Sequence, residues 1–307
     1  MYIERIDQAT NADKIILENC HVTGNGCGLK LFGNENMIQI INSNFDHLGK
    51  YSIYADFTDS LEIINNQFFG ELESFSLNSV KFYDNKVHQE TNFVGEFINN
   101  TFYGRADLTG SLAEHNTFHF ITNLGALYIR NNTFLYSLNI SYLDNVEFNL
   151  NKCFGKFNMS FCQQAIINAN QFKNEASISF CYGSLVSNNI ILKEFDLGLS
   201  DFCKIYNNNF GPGANLRNSA FDAKIKNNNF SQEIESGNFS SLIDHNNYYP
   251  RGGIYDDNPF SINPFYLDTS LVATNPLLIG KGLVAAEVKN DFNGTLRSEP
   301  PTIGAHE

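Results

Sequence analysis

The feature that most limits how this chain can fold is an internal repeat. The phrases IINSNF (40–45), IINNQF (63–68), FINNTF (97–102), AEHNTF (113–118), IRNNTF (129–134), IINANQF (166–172), IYNNNF (205–210) and IKNNNF (225–230) are copies of one pattern. Weaker copies end at Val22, Val87, Cys153, Ile191 and Tyr248. Successive final apolar positions lie 15 to 23 residues apart, with a mean close to 19. A unit this small cannot bury its own apolar face, so it has to stack on its neighbours. The repeat therefore predicts a solenoid.

The residue types say which solenoid. Two positions before the final apolar residue, eleven of the thirteen copies carry Asn, and the others carry Cys20 and Ser43. Asn can bond its own backbone, tolerates the left-handed region and can stack amide on amide, which suits a recurring tight turn. The final position is mostly Phe (45, 68, 102, 118, 134, 172, 210 and 230), an aromatic ladder that accounts for many of the 28 phenylalanines and reads as core. Within copies, FNMSF, ASISF and FDLGL alternate with period 2. Asn, Ile, Phe and Ser make poor helices. Three short strands per coil give an all-β, single-stranded parallel β-helix of about 13 coils of about 19 residues, occupying 1–248. Residues 249–307 leave the register, are rich in Pro, Gly and Asp, and are expected to cap the last coil as a segment packed on the same solenoid. The spacings between Val87 and Phe134 are the shortest (15, 16 and 16), so those coils have tight turns.

Composition narrows the function classes. Apolar residues make up 42% of the chain, too many for a disordered acidic segment. Thirty-three acidic residues against 20 basic ones leave a net charge of −13, the wrong sign for gripping nucleic acid. No run of 18 apolar residues exists to span a membrane as a helix. The N-terminus, MYIERIDQATNADK, lacks a signal peptide's basic start and apolar run. The repeat begins almost at once, which leads to the expectation that the chain is a fragment or one domain of something longer.

The phrase IxNNxF, together with NPLLIGKG (275–282) and DFNGTLRSEPPTIGAHE (291–307), resembles the right-handed parallel β-helix proteins of the pectate lyase-like group. The tail is similar to a C-terminal signature of secreted members, DxxGxxR followed by DIGAxE. Asn275, Pro276, Gly282, Asp291, Gly294, Arg297, Ile303, Gly304, Ala305 and Glu307 stand on it, and Thr302 replaces the usual Asp. The resemblance implies a secreted or cell-surface protein whose partner is a polysaccharide or surface glycan. It implies either a polysaccharide lyase or glycoside hydrolase-like enzyme, or a non-catalytic structural, adhesive or carbohydrate-binding module. The pectin-hydrolase set (paired aspartates, GHG and RIK) and the NGxExIR phrase of other lyases are absent, so no catalytic residue is carried over. A monomer is the expected state.

Candidate site residues come from register. Six positions after each ladder residue lies an apolar one (Leu108, Leu124, Ile140, Met159, Ile178, Leu197, Leu216). The residue before it faces out, giving the row Asp107, Asn123, Asn139, Asn158, Ser177, Asp196 and Asn215. Beside that row stand Arg105, Lys156, Glu175 and Glu194 on one side and Arg217 on the other. Lys156, Glu175, Glu194 and Asp196 fall on successive coils, where two carboxylates and a lysine can serve acid/base chemistry or hold a hard cation, or simply form a solvated ladder. Arg105 with Asp107, and Asn139, Asn158 and Arg217, are candidate glycan contacts. In the early coils the matching outward residues are Lys30, a candidate base, and Tyr54, with Asp46, His47 and Lys50 nearby. No cofactor is required by these residues. Calcium is the one ion considered, through Asp256, Asp257 and Asp291, because the histidines show no metal spacing. His115 and His245 read as turn residues. Cys162 and Cys181 stack one coil apart, close enough in principle for a disulfide, and Cys153 reads as a buried thiol.

Overall fold

The computed structural model describes residues 2–4, 14–32, 37–46, 49–56, 60–75, 77, 79–215, 222–231, 242–249, 256–264 and 274–307. The chain forms two compact units, residues 1–136 and 137–307. Each is a parallel β-solenoid with about 19 residues per turn and almost no helix. The described helix is one 3₁₀ turn, Pro276–Leu278, capped by the Asn275 side chain. The copies make about 11 turns rather than about 13. Among the described residues the last copy shows the strands Leu242–Asp244 and Asn247–Tyr248.

In the first unit the ladder residues form seven two-residue strands, from His21–Val22 to Thr133–Phe134, paired in parallel so that Phe45 falls on Phe68 and Phe102 on Phe118 and then Phe134, with Val22 and Val87 taking the same position in their own coils. Phe102, Phe118 and Phe134 stack with centroids 5.1 and 4.9 Å apart and rings within 4° of parallel. The early coils have two further sides of four to six residues, such as Tyr51–Asp56 and Ser60–Ile64. The two 16-residue coils differ: Ala106–Glu114 and Thr122–Arg130 are unbroken nine-residue strands. The corner that Gly95 makes between Thr91–Val94 and Glu96–Ile98 in the preceding 15-residue coil is missing from these two, so two of the three expected sides merge.

The second unit keeps three sides. One coil runs Phe157–Ser160, Ile166–Asn168 and Gln171–Phe172, and each strand pairs in register with its counterpart 19 residues on. The left-handed residues Phe161 (φ 55°) and Gln164 (φ 52°) turn the connection between the first two of these strands, and Ala169 (φ 55°) turns the next.

The turn that carries the repeat divides its work between two residues. The ladder Asn was expected to take the left-handed conformation, but the residue before it does so in all thirteen copies, from Asn19 to His245. His115 (φ 57°) and His245 (φ 56°) occupy this position, as read. The ladder Asn points inward instead. Asn170 is fully buried; its side chain donates to Phe148 O (2.7 Å) and Asn189 Oδ1 (3.0 Å), and its Oδ1 accepts from the Asn151 backbone N–H (2.8 Å). In a coil core no water reaches these groups, so each amide satisfies the turns above and below it. In the second unit the ladder ends at Asp256, whose Oδ2 takes the bonds of Asn246 N and Nδ2 (3.1 and 2.8 Å).

Residues 256–264 lie on the last coil, where Phe260 O accepts from Tyr248 N and Phe260 N donates to Asn246 O (both 2.9 Å). Residues 274–307 follow the side of the second unit as a strap. Gly304 N donates to Asn227 O (2.7 Å), and Ala305 N to Asn209 Oδ1 (3.3 Å). Gly304 has φ +105°, and a Cβ there would sit 2.2 Å from Asn229 Nδ2. Only glycine fits that approach. Asn209, Asn229 and Asn247, the third residue of each NNN or HNN run, form a second buried amide ladder beneath the strap.

The tail residues that resemble the signature lock the strap to itself. Asp291 Oδ1 accepts from Asn293 N (2.9 Å) and Thr295 N (2.7 Å), and its Oδ2 accepts from Glu307 N (3.0 Å). Arg297, 8% exposed, donates to Asn188 Oδ1 (2.7 Å), Gly304 O (2.9 Å) and Glu307 Oε2 (3.3 Å).

Candidate functional site

The outward row of the second unit is in register: Asn139 stands beside Asn158, then Ser177, Asp196 and Asn215, one per coil. Asn158 Nδ2 donates to Asn139 Oδ1 at 3.0 Å. The alternating side chains Leu138, Ile140, Phe157, Met159, Ala176, Ile178, Phe195 and Leu197 are buried and hold this face flat. Ser141, Ser160, Ser179 and Gly198 make a parallel second row. The face is a floor of hydroxyl and amide groups repeating about every 4.8 Å.

Lys156, Glu175, Glu194 and Asp196 do come together. They line one shallow pocket of about 270 Å³ with Ser177 and Asn215. Lys156 Nζ lies 2.9 Å from Glu175 Oε2, both side chains about half exposed, so the pair contributes little to stability. Gly213 (φ +86°) makes room for Glu194, since a Cβ would come within 2.8 Å of Glu194 Cγ. Burial pushes the Asp196 carboxyl above its ordinary range, and the charge of Lys156 offsets this only in part. The pocket thus sets a carboxyl that keeps its proton to higher pH than an ordinary aspartic acid beside an ion pair and a second acidic side chain. Such a set can donate a proton to an oxygen laid across it.

One edge of this face has a feature that parity conceals. In FNMSF and ASISF the last residue should point inward, like the Met or Ile two positions earlier. The structure instead places Tyr142, Phe161, Phe180 and Leu199 at left-handed corners (φ 59°, 55°, 53° and 45°) with 77%, 45%, 48% and 57% of their surface exposed. The rings stack at 5.1 Å (Tyr142–Phe161) and 4.8 Å (Phe161–Phe180), within 4° of parallel, and turn their edges to solvent. The 19-residue spacing of these four residues was the available signal.

In the first unit, Lys30 pairs in register with Tyr54. Its ammonium lies 5.3 and 5.6 Å from the Phe32 and Tyr54 ring centroids, in a cluster that extends to Tyr51 and Phe75. Lys50, 3.6 Å from Glu71, stacks on Tyr51. Arg105 pairs with Asp107 at 2.9 Å, and Asp107 also accepts from Asn123 Nδ2. A second ring stack, Phe69–His88–Tyr103–His119, has spacings of 4.4 to 4.8 Å and was not anticipated. Arg217 and His47 lie outside the described residues.

Among the described residues no three His, Cys, Asp or Glu side chains gather as a metal site. Of the three carboxylates considered for calcium, Asp256 is engaged by the ladder end and Asp291 by the strap, while Asp257 is exposed. All six cysteines are free thiols, Cys162 and Cys181 included. Cys153 is buried, as read, which pushes its thiol pKa far up. No described helix is long and apolar enough to cross a membrane. The chain matches no protein-family model and no curated protein.

Proposed function

We propose that the chain is an extracellular or cell-surface polysaccharide-interacting β-solenoid, and that the outward face of the second unit holds a long glycan along the coil axis. The observation that carries this reading is the row Tyr142, Phe161, Phe180 and Leu199. Large side chains in the left-handed conformation cost backbone energy, and exposing them costs more. Asn or Gly would serve the corner better, so stability does not explain the choice. Beside a floor of Asn and Ser, the ring edges form an apolar rail against which the C–H faces of sugars can rest while their hydroxyls bond the floor. The tail's resemblance to secreted β-helix proteins supports the same reading.

The pocket carries a second reading, in which the face also cuts the polymer. Asp196, protonated to higher pH than an ordinary aspartic acid, would donate to a glycosidic oxygen, with Glu194 as its partner. Calcium would enter as a bridge to an acidic polymer, which the net charge of −13 otherwise repels.

The test incubates the protein with neutral and acidic polysaccharides, with and without calcium, reading retention by affinity electrophoresis and product size by chromatography. Retention lost in F161A and F180A, but kept in K30A, is the expected result. Shortened products that disappear in D196N, with retention kept, would add catalysis. Retention of no polymer, or retention unchanged in F161A and F180A, overturns the assignment of this face.

A further inference from the structure

The first unit presents a strand edge at its first coil. That coil has the strands Tyr2–Glu4, Lys14–Glu18 and His21–Val22, and among the described residues each pairs on one side only, with the second coil. The inward residues Ile15, Leu17 and Val22 are half-buried, whereas Ile38, Ile40 and Phe45, their partners in the second coil, are at most 1% exposed. Outward on the longest of these strands stands Ile16, 51% exposed, between the exposed Lys14 and Glu18. The last coil of the second unit is covered instead: Asp257 N donates to Ile243 O (3.0 Å) and Phe260 N to Asn246 O (2.9 Å). A strand edge with half-buried apolar side chains behind it is a template for another strand.

We infer that this edge pairs with the same edge of a second copy of the chain, the two Lys14–Glu18 strands running antiparallel about a twofold axis at Ile16. The backbone suits that register. Asn19 N donates to Ile41 O (3.1 Å). Backbone direction alternates along a strand, so Ile15 and Leu17 turn their N–H and C=O to the second coil, and Lys14, Ile16 and Glu18 turn theirs to the edge. With Ile16 opposite Ile16 of the second copy, all three edge-facing residues meet as hydrogen-bonded pairs.

The side chains suit the same register. Ile15 falls opposite Leu17 of the second copy, inward on inward, so the two half-buried cores close on each other. Lys14 falls opposite Glu18, and the twofold axis makes that pair twice. A slip of two residues either way would part both charge pairs, and a slip of one would set inward residues against outward ones. The strand KIILE is thus its own antiparallel complement. Head-to-tail stacking would need the last coil's edge, which residues 256–264 occupy, so the contact closes as a pair and does not propagate. This pair replaces the monomer expected from the sequence, and it does not rest on the glycan reading of the outward face.

The test is sedimentation of the full chain over a range of concentrations, with circular dichroism to show that each variant is folded. The parent should sediment as a dimer that dissociates on dilution, with no larger species. K14E sets Glu opposite Glu twice and E18K sets Lys opposite Lys twice, so each should weaken the dimer roughly tenfold or more. I16K brings two ammonium groups together on the axis and should do the same. All three side chains are exposed in the single chain, so the coil itself should survive each change. The double variant K14E/E18K restores the opposition with the signs exchanged and should dimerise like the parent. An equimolar mixture of K14E and E18K should form a heterodimer. A monomeric parent overturns the proposal, and protection of the Ile16 amide from exchange in that monomer would give the edge to another segment. Assemblies larger than two, a dimer that K14E, E18K and I16K leave unchanged, or no recovery in K14E/E18K overturn it as well.

Discussion

Single residues in this fold are held by reasons that differ sharply between neighbours. Glu175 in the outward pocket is held by Lys156 (2.9 Å), whereas Asp196 in the same pocket has its carboxyl pushed up by desolvation. The folded protein keeps that proton to higher pH than the unfolded chain does. Stability is therefore lost as pH rises from the ordinary Asp value near 3.9 through the folded one. D196N should melt above the parent at pH 7, and the two should converge below about pH 4; melting curves across that range check it. Gly304 shows the opposite case, a residue fixed by lack of space. G304A would force a Cβ to within 2.4 Å of Asn209 Oδ1 and 2.2 Å of Asn229 Nδ2 at a φ that L-residues rarely adopt. The expected cost is about 2 kcal/mol or more, read as faster amide exchange in 291–307 and a lower melting temperature.

At the level of the coil, the buried amide ladder is the repeating element. N170A would strip an acceptor from the Asn151 N–H and a donor from Phe148 O while leaving a void, an expected loss of about 2–4 kcal/mol in denaturant unfolding. This ladder, the Phe stack and the register of the outward row were legible in the sequence, because a 19-residue spacing maps directly onto coil-to-coil contact. The same arithmetic brought Lys156, Glu175, Glu194 and Asp196 together correctly. Corners were not legible in this way. A left-handed residue breaks the in-out alternation, so Phe161 and Phe180 surface where parity would bury them. Nor did the spacing reveal which residue of the repeat takes the left-handed turn. It is the one before the ladder Asn, a position filled by Ala169, Leu150 or Asp84 as well as by Asn, while the ladder residue itself faces inward. The strap's seat had a faint trace: Asn209, Asn229 and Asn247 stand where other copies have Thr101, Thr117 or Thr133.

For the molecule as a whole, two kinds of contact differ in range. Coils touch coils 15 to 23 residues away, whereas the strap reaches back 109 residues from Arg297 to Asn188 and 56 from Leu283 to Asn227. Removing 274–307 should therefore raise amide exchange around Asn188, Asn209 and Asn229 while leaving the ladder of the first unit, from Asn66 to Asn132, protected; exchange mass spectrometry separates the two regions. The difference in range also sets an order of events. Each coil can form as soon as its neighbour exists, since the loop it closes is short. The strap has nothing to dock on until the Asn209–Asn229 ladder is built. Refolding should then finish with a distinct late step that buries those amides, and until that step they lie open along the flank of an otherwise assembled stack.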